Sequence, residues 1–316
     1  MNRKRILCID GGGIKGVFPV SLLAHIESAL SLKSVANYFD LIAGTSVGGI
    51  IALGLGLGLT AQRMTDFMIK QGPLIFPSSP FPTSTLRLLF GMERYKPKNL
   101  RRAVEEIFGT MTLRDSRVRL LIPSFNATNE DIHIYKTAHH ERLGMDYNLS
   151  AVEVAMATAA APTYLPAYDS EHGIILVDGG LWANNPVAFA VVEAVTLLGW
   201  PGDELDVLSI GCTEETVDFR QHGHGGIFWV RRAIEAAMRG QSRSSLGMAM
   251  HLTGRDRGLE NVVRINPPVA AGRFSLDGIA GIKELRGFGY SEVRHALPQL
   301  KTGFFSFEAD PFVSMK

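Results

Sequence analysis

Residues 44–48 read GTSVG, a G-x-S-x-G pattern that is typical of a serine nucleophile. An apolar run at 41–43 predicts a strand before this segment, and an apolar run at 48–57 predicts a helix after it. A tight turn between a strand and a helix presents the serine hydroxyl at the helix N-terminus, and flanking glycines leave room for that turn. The segment therefore predicts Ser46 as a nucleophile supported by Gly44 and Gly48. The alternative is a glycine-rich packing turn with an incidental serine.

A carboxylate that could activate such a serine follows another predicted strand, at residues 174–177. Asp178 comes directly after this strand and is followed by Gly179 and Gly180. In open α/β sheets, a residue at the carboxyl end of a strand points into the crevice where ligands bind. D-G-G alone is a common turn, but beside the serine motif it makes Asp178 a candidate base. A free aspartate has a pKa of about 3.9, which makes it a poor base near neutral pH. Burial between apolar strands would raise the pKa of Asp178, and we expect such burial here.

A third segment, DGGGIKG at residues 10–16, lies between a predicted strand and a predicted helix. Consecutive glycines expose backbone N–H groups near a helix N-terminus, and such a loop holds an anion, either a bound phosphate or one that develops during a reaction. The segment also fits the dinucleotide-binding pattern G-x-G-x-x-G. That pattern requires an acidic residue at the end of the next strand, whereas Asp40 lies within the next strand-like run.

The three motifs together resemble the patatin-like phospholipase family, which carries D-G-G-G-x-[RK]-G, G-x-S-x-G and D-G-G in this order. Residues 157–162, ATAAAP, with Pro166, are similar to the A-x-A-A-P stretch that precedes the D-G-G strand in these proteins. The resemblance covers about residues 5–200. Lys15 replaces the commoner arginine of the first motif, a variant that the family accepts.

The resemblance implies a serine acyl hydrolase that acts on ester bonds of membrane phospholipids through a Ser–Asp dyad, without a metal or an organic cofactor. Ser46 would be the nucleophile and Asp178 the base. The implied oxyanion hole consists of the backbone N–H groups of Gly11, Gly12 and Gly13. The implied supporting residues are Asp10, Lys15, Gly16, Gly44, Gly48, Gly179 and Gly180. The implied fold is an α/β three-layer sandwich with a mostly parallel central sheet and helices on both faces.

Some bacterial members of this family are anti-phage effectors that cyclic nucleotides switch on. The chain resembles that subset in its opening and in residues 261–268. This resemblance implies a cyclic di- or trinucleotide activator and leaves room for a homo-oligomer. It identifies no residue that reads the nucleotide.

Two other functions use the same residues differently. A Ser-His-Asp esterase acting on small esters would take its histidine from those that follow Asp178, which are His222, His224, His251 and His295. A non-catalytic protein would use the glycine loop to bind an anion or a nucleotide. None of the four histidines lies in a recognisable catalytic context, and a silent relative need not retain both Ser46 and Asp178.

Predicted strands and helices alternate along the chain, which indicates a mostly parallel sheet covered on both faces. The predicted strands are 5–9, 38–43, 117–125, 131–136, 173–177, 205–211 and 262–265. The predicted helices are 17–30, 48–57, 60–70, 97–108, 150–160, 186–198, 226–250 and 278–297.

The chain has 316 residues, a hydrophobic fraction of 46% and a formal net charge of +1. These values exclude general disorder and argue against DNA or RNA as a partner, because nucleic-acid binders carry a marked basic excess. We expect one domain, residues 1–316, with a motif-bearing core at about 5–210 and a C-terminal helical and regulatory portion at about 211–316.

Further features of the sequence bear on where the protein works and what it could bind. Cys8 and Cys212 lie in apolar runs typical of buried thiols, and no signal peptide is predicted, so we expect a cytoplasmic protein acting at the inner membrane surface. The uncharged stretch 41–59 is too rich in glycine for a membrane span.

Residues 72–96 are apolar and proline-rich and predict either a lid or a packed loop. The basic residues at 94–102 and 231–243 predict a solvated face or an anion site, and His222 with His224 is too small a set for a metal.

Overall fold

The chain is described by a computed structural model covering residues 3–77, 93–215 and 226–316, in which the side chains of 226–232, 234 and 235 are not described. The strands are β1 (Lys4–Ile9), β2 (Leu41–Gly44), β3 (Arg119–Asn126), β4 (Asp131–Lys136), β5 (Tyr168–Asp169), β6 (Ile175–Asp178), β7 (Leu205–Ile210), β8 (Glu214–Glu215), β9 (Val262–Ile265) and β10 (Pro268–Val269). The helices are α1 (Val17–Leu30), α2 (Val47–Gly56), α3 (Ala61–Ile75), α4 (Pro97–Phe108), α5 (Ala151–Thr158), α6 (Gly180–Ala183), α7 (Val187–Val192), α8 (Gly226–Leu252) and α9 (Ile282–Gly303).

One sheet organises these elements in the order β5-β6-β3-β2-β1-β7-β9, with β4 paired to β3. The pairs around β1 and β2, and the pair β7–β9, are parallel. The pairs of β6 with β3 and β5, and of β4 with β3, are antiparallel. The parallel strands β1 and β2 therefore end at the same edge, where the serine turn and the glycine loop begin.

Both faces of the sheet are covered, as the side chains of β1 illustrate. Leu7 and Ile9 belong to the larger core, which α1, α2, α3 and α9 help to build. Ile6 and Cys8 point to the opposite face, where they join a second core with α7 and α8. Because successive side chains of a strand alternate between faces, a strand buried on both faces is apolar throughout. The predicted α/β three-layer sandwich with a mostly parallel sheet is confirmed.

The region after residue 211 contributes to the same sheet and the same cores. Strand β9 extends the sheet beyond β7. Helix α9 packs against α1, where a Cβ at Gly289 would lie 2.8 Å from the Leu22 nitrogen and 3.0 Å from the Phe18 carbonyl oxygen. Only a glycine permits this close approach of the two helices.

Most predicted elements are confirmed within a few residues, and two helices differ in detail. The helix predicted at 60–70 continues through Pro73 to Ile75, because this proline lies in the last turn, where a missing N–H removes one hydrogen bond. The helix predicted at 186–198 is α7 followed by a π-helical turn, Glu193–Leu197. The stretch 41–59 forms β2, the turn and α2, and no helix in the described ranges is long and apolar enough to cross a membrane.

Candidate active site

Ser46 occupies a strained turn between β2 and α2, with φ 57° and ψ −124°. Such a conformation costs a non-glycine residue on the order of 1–3 kcal/mol and persists only where neighbours enforce it. A Cβ at Gly44 would lie 2.1 Å from the carbonyl oxygen of Gly48, and a Cβ at Gly48 would lie 2.3 Å from the carbonyl oxygen of Ile9. Both glycines of the serine motif are therefore required by close backbone contacts.

Two threonines, Thr45 and Thr158, also hold the serine turn through hydrogen bonds. The Ser46 N–H donates to Oγ1 of Thr158 at 3.0 Å, and that hydroxyl donates to the carbonyl of Pro123 at 2.6 Å. The Thr45 hydroxyl donates to the carbonyl of Ala183 at 2.6 Å. Sequence reasoning did not single out Thr158, although it lies in the small-residue stretch 157–162.

The carboxylate predicted as the base lies directly against the serine. Ser46 Oγ donates to Asp178 Oδ2 at 2.6 Å, and the Gly180 N–H donates to Asp178 Oδ1 at 2.6 Å. The Asp178 N–H donates to the carbonyl of Ala160 at 3.0 Å, which fixes the end of β6. Asp178 is 5% exposed. Burial raises the pKa of Asp178 to about 6, although its two hydrogen bonds act in the opposite direction.

The two glycines after Asp178 are also held by contacts. A Cβ at Gly179 would lie 2.4 Å from the carbonyl oxygen of Pro123 in β3. A Cβ at Gly180 would lie 2.9 Å from Asp178 Oδ1. Larger residues would push the carboxylate away from Ser46, so both glycines keep the base in place.

The glycine loop, residues 10–16, presents fewer free N–H groups than the sequence predicted. The Gly11 N–H donates to the carbonyl of Asn184 at 3.0 Å. The N–H groups of Gly12 and Gly13 have no acceptor among the described residues. Of the three predicted oxyanion donors, Gly12 and Gly13 are thus available, whereas the Gly11 N–H is already bonded.

Close contacts from the C-terminal third shape the same loop. A Cβ at Gly12 would lie 2.5 Å from the Cβ of Cys212. Gly13 has φ 56°, and a Cβ there would lie 2.1 Å from the carbonyl oxygen of Leu276, which accepts the N–H of Ile14 at 2.8 Å. Nothing in the sequence links Cys212 or Leu276 to the loop, because these contacts arise from the fold.

The remaining residues of the first motif support the loop without touching Ser46 Oγ. Asp10 is buried and forms an ion pair with Arg264, whose Nη2 lies 2.5 Å from Asp10 Oδ2. The Lys15 N–H donates to the Gly12 carbonyl at 3.1 Å. A Cβ at Gly16 would lie 2.6 Å from Cγ2 of Val47.

The competing interpretations of these motifs find no support in the geometry. No histidine in the described part of the chain contacts Ser46 or Asp178; His251 pairs with Asp256 at 2.8 Å, and His222 and His224 lie outside it. Asp40 precedes β2 instead of following it, and it accepts from Lys4 Nζ at 2.8 Å and from the Arg5 N–H at 2.9 Å. The described residues include no group of three His, Cys, Asp or Glu that could hold a metal ion.

A cleft of about 220 Å³ adjoins the base through Ala160, whose carbonyl accepts the Asp178 N–H. Its walls are mostly apolar, with one cation and one anion, and the lining consists of Pro97, Arg101, Met156, Ala160, Leu165, Pro166, Ala167, Tyr168 and Asp169. Of the loop predicted at 72–96, residues 78–92 lie outside the described part. Its described end packs Phe76 against Tyr95, with ring centroids 5.2 Å apart.

The first basic cluster is mostly solvent-exposed, and the described side chains of the second are half-buried at Arg239 and exposed at Arg243. In the first, Lys96, Lys98, Arg101 and Arg102 are exposed, while Arg94 pairs with Asp277 at 2.7 Å. In the second, Arg243 pairs with Glu214 at 3.1 Å, and the side chains of Arg231 and Arg232 are outside the described part.

Comparison with known proteins agrees with this geometry. The patatin-like phospholipase family model matches residues 7–191, which contain all three motifs. The cGAMP-activated phospholipase of Vibrio cholerae is 31% identical over 87% of this chain and 86% of its own length. The cGAMP-activated phospholipase of Escherichia coli is 29% identical over 98% of this chain and 95% of its own length.

Among solved structures, VipD from Legionella pneumophila is similar over 95% of this chain and 67% of VipD, at 14% identity and a TM-score of 0.47. A likeness that distant adds nothing to the assignment. The family model spans more than half of the chain and the two bacterial relatives align with most of it, so the chain belongs to the patatin-like phospholipase family and is a hydrolase.

Proposed function

We propose that this enzyme releases fatty acids from membrane phospholipids, with Ser46 as nucleophile and Asp178 as base. The observation that carries the proposal is the 2.6 Å hydrogen bond from Ser46 Oγ to a buried carboxylate. Serine is a weak nucleophile until an adjacent base takes its proton. With a pKa of about 6, Asp178 is mostly ionised at neutral pH and is a stronger base than a free aspartate.

The proposed reaction has two halves that share one base. Ser46 Oγ attacks the ester carbonyl carbon while its proton passes to Asp178 Oδ2. The bond to the glycerol oxygen then breaks, and Asp178 gives the proton to the leaving alcohol, which leaves an acyl-Ser46 ester. In the second half, water attacks this ester as Asp178 takes its proton. The acyl–Ser46 bond breaks, the fatty acid leaves and the proton returns to Ser46 Oγ.

Each attack places negative charge on the former carbonyl oxygen, and we assign its stabilisation to the N–H groups of Gly12 and Gly13. These groups have no acceptor among the described residues, and they lie in the loop that begins where β1 ends. Removal of one such donor in a comparable hydrolase costs about 3–4 kcal/mol of transition-state stabilisation. The cleft that adjoins Asp178 through Ala160 supports a substrate with an apolar chain, because its walls are mostly apolar.

We also propose that a cyclic dinucleotide activates the enzyme and that it serves in antiviral defence in the cytoplasm, at the inner membrane surface. Support comes from the alignments with two cGAMP-activated phospholipases, which extend well beyond the catalytic motifs into the C-terminal third. Activation through self-association is part of this proposal, and light scattering with and without the nucleotide tests it.

The decisive experiment measures fatty-acid release from mixed phospholipid vesicles by wild type and Ser46→Ala, alone and with a panel of cyclic di- and trinucleotides. We expect release by wild type with one nucleotide and none by Ser46→Ala. Ser291→Ala, an exposed serine of α9, is the matched control and should behave as wild type. Full activity without any nucleotide would contradict the activation, and release by Ser46→Ala would contradict the dyad.

A further inference from the structure

The carboxylate of Asp10, at the start of the glycine loop, pairs with a residue of the C-terminal third of the chain. Arg264 donates to both oxygens of Asp10, from Nη1 to Oδ1 at 2.8 Å and from Nη2 to Oδ2 at 2.5 Å. The Asp10 side chain is 5% exposed and that of Arg264 13%. A bidentate pair of this kind fixes direction as well as distance, because two parallel hydrogen bonds allow little rotation.

The guanidinium reaches the loop across one strand of the sheet. Arg264 lies on β9, in register with Ser209 on β7, and Asp10 follows β1 on the other side of β7. Arg264 Nη1 also donates to Ser209 Oγ at 2.7 Å. The guanidinium is therefore held by β7 as well as by Asp10 and can fix the end of β1.

A second contact holds the other side of the glycines. The Ile14 N–H donates to the carbonyl of Leu276 at 2.8 Å. The next residue, Asp277, has a buried carboxylate that pairs with Arg94 at 2.7 Å and accepts the Tyr95 hydroxyl at 2.7 Å. Gly12 and Gly13 thus lie between two fixed points, residues 10 and 14, and both are anchored by residues 264–277.

We propose that Arg264 is a positioning residue for the oxyanion hole: through Asp10 it fixes where the N–H groups of Gly12 and Gly13 point. The proposal rests on the function proposed above. Oxyanion donors must lie about 2.7–3.1 Å from the developing charge, so a small displacement of the loop weakens both of them. Removal of the guanidinium leaves a buried carboxylate without its partner, and the loop moves to solvate it.

The test compares Arg264→Lys with Arg257→Lys under the nucleotide condition that gives the highest wild-type rate. Lysine keeps the charge but cannot form the bidentate pair. Arg257 is the matched control, since its pair with Asp203 at 2.8 Å is exposed and far from the loop in the fold. On a soluble p-nitrophenyl ester, we expect Arg264→Lys to lower kcat about 10- to 100-fold with KM within about twofold. Arg257→Lys should stay within about twofold of wild type in both constants.

Two further measurements separate positioning from a general loss of structure. Labelling of Ser46 by a fluorophosphonate should slow in Arg264→Lys while its melting temperature stays close to that of wild type. In Arg264→Ala, added methylguanidinium should restore activity at least fivefold, whereas methylammonium should not. If Arg264→Lys does not fold, Asp10→Asn, which retains one hydrogen-bond acceptor, takes its place, with about a tenfold loss of kcat expected.

Wild-type kcat in a folded Arg264→Lys variant would overturn the proposal. Its failure is distinguishable from failure of the dyad. If Ser46→Ala is inactive and Arg264→Lys is as active as wild type, the dyad stands and the positioning role is wrong. If Ser46→Ala retains hydrolysis, the proposed function itself is wrong.

Discussion

The dyad and the glycine loop lie at the same edge of one sheet, yet they are supported by different parts of the chain. Ser46 and Asp178 are held by neighbours such as Thr158, Pro123 and Ala160, all of which lie within the family match. In the glycine loop, Gly11 donates to Asn184 within the match, whereas residues 10 and 12–14 contact Arg264, Cys212 and Leu276, which lie beyond it. Mutations can therefore alter the support of the oxyanion donors without changing the neighbours that hold Ser46 and Asp178.

The largest expected effect concerns the dyad. Ser46→Ala and Asp178→Asn should each lower kcat by at least about 10³-fold, and the double variant should lose no more than the worse single one, because the two groups act as a unit. Steady-state kinetics on phospholipid vesicles measures this. Additive losses would mean that the serine and the carboxylate act in separate steps.

The next effect concerns the loop and its distant support. Gly12 has φ 175°, open to any residue, so only its contact with Cys212 demands a glycine. Gly12→Ala should lower kcat about 100-fold, since the loop must move away from the Cβ of Cys212. The double variant Gly12→Ala/Cys212→Gly lacks that Cβ, and its kcat should be at least about tenfold higher than that of Gly12→Ala.

The control for that pair is Gly287→Ala, because nothing lies within 4 Å of a Cβ at Gly287 in α9. We expect unchanged kinetics and a slightly more stable helix. A Gly12→Ala/Cys212→Gly double variant as inactive as Gly12→Ala alone would show that the contact with Cys212 is not what constrains the loop.

The raised pKa of Asp178 predicts a pH dependence of both activity and stability. The base must be ionised, so kcat/KM should fall about tenfold per pH unit below a pKa of about 6. Because this pKa is higher in the folded than in the unfolded chain, the folded state loses relative stability as pH rises from about 4 to 6. Asp178→Asn abolishes that loss, so the variant should gain about 2–3 kcal/mol over wild type between pH 4 and pH 7. Urea unfolding at several pH values measures the gain, and a constant difference across this range would contradict it.

The smallest expected effect concerns the threonine that holds the serine turn. Thr158→Val keeps the shape but leaves the Ser46 N–H and the Pro123 carbonyl without their partner. We expect a stability loss of about 1–3 kcal/mol and a fall in kcat of about tenfold. Thr302→Val, at an exposed site of α9, should change neither. A Thr158→Val variant with native kcat would mean that the backbone contacts of Gly44 and Gly48 hold the turn unaided.

The sequence predicted an α/β fold with a mostly parallel sheet, most of the helices and the three motifs. Apolar periodicity and glycine spacing are local signals that can be read from the chain. The sequence did not predict Arg264 or Leu276 as neighbours of the loop, because the resemblance at residues 261–268 concerned only the nucleotide-activated subset and nothing near Leu276 indicates a contact with residues 10–16. The family resemblance also implied the Gly11 N–H as an oxyanion donor. The N–H of Gly11 is taken by Asn184, a partner that depends on how α6 packs. Local patterns thus reveal reactive groups, and tertiary contacts decide which of their neighbours remain free.

The late position of Arg264 and Leu276 has a consequence for biosynthesis. Ribosomes add about 5–20 residues per second, so the loop's supports emerge on the order of ten seconds after Asp178 has been made. During that interval the nascent chain already contains its serine and its carboxylate, but strand β9 has not yet joined the sheet. If Arg264 positions the loop, a nascent phospholipase has an unsupported oxyanion hole, and the membranes of the cell that produces it are spared until β9 has been made and has joined the sheet.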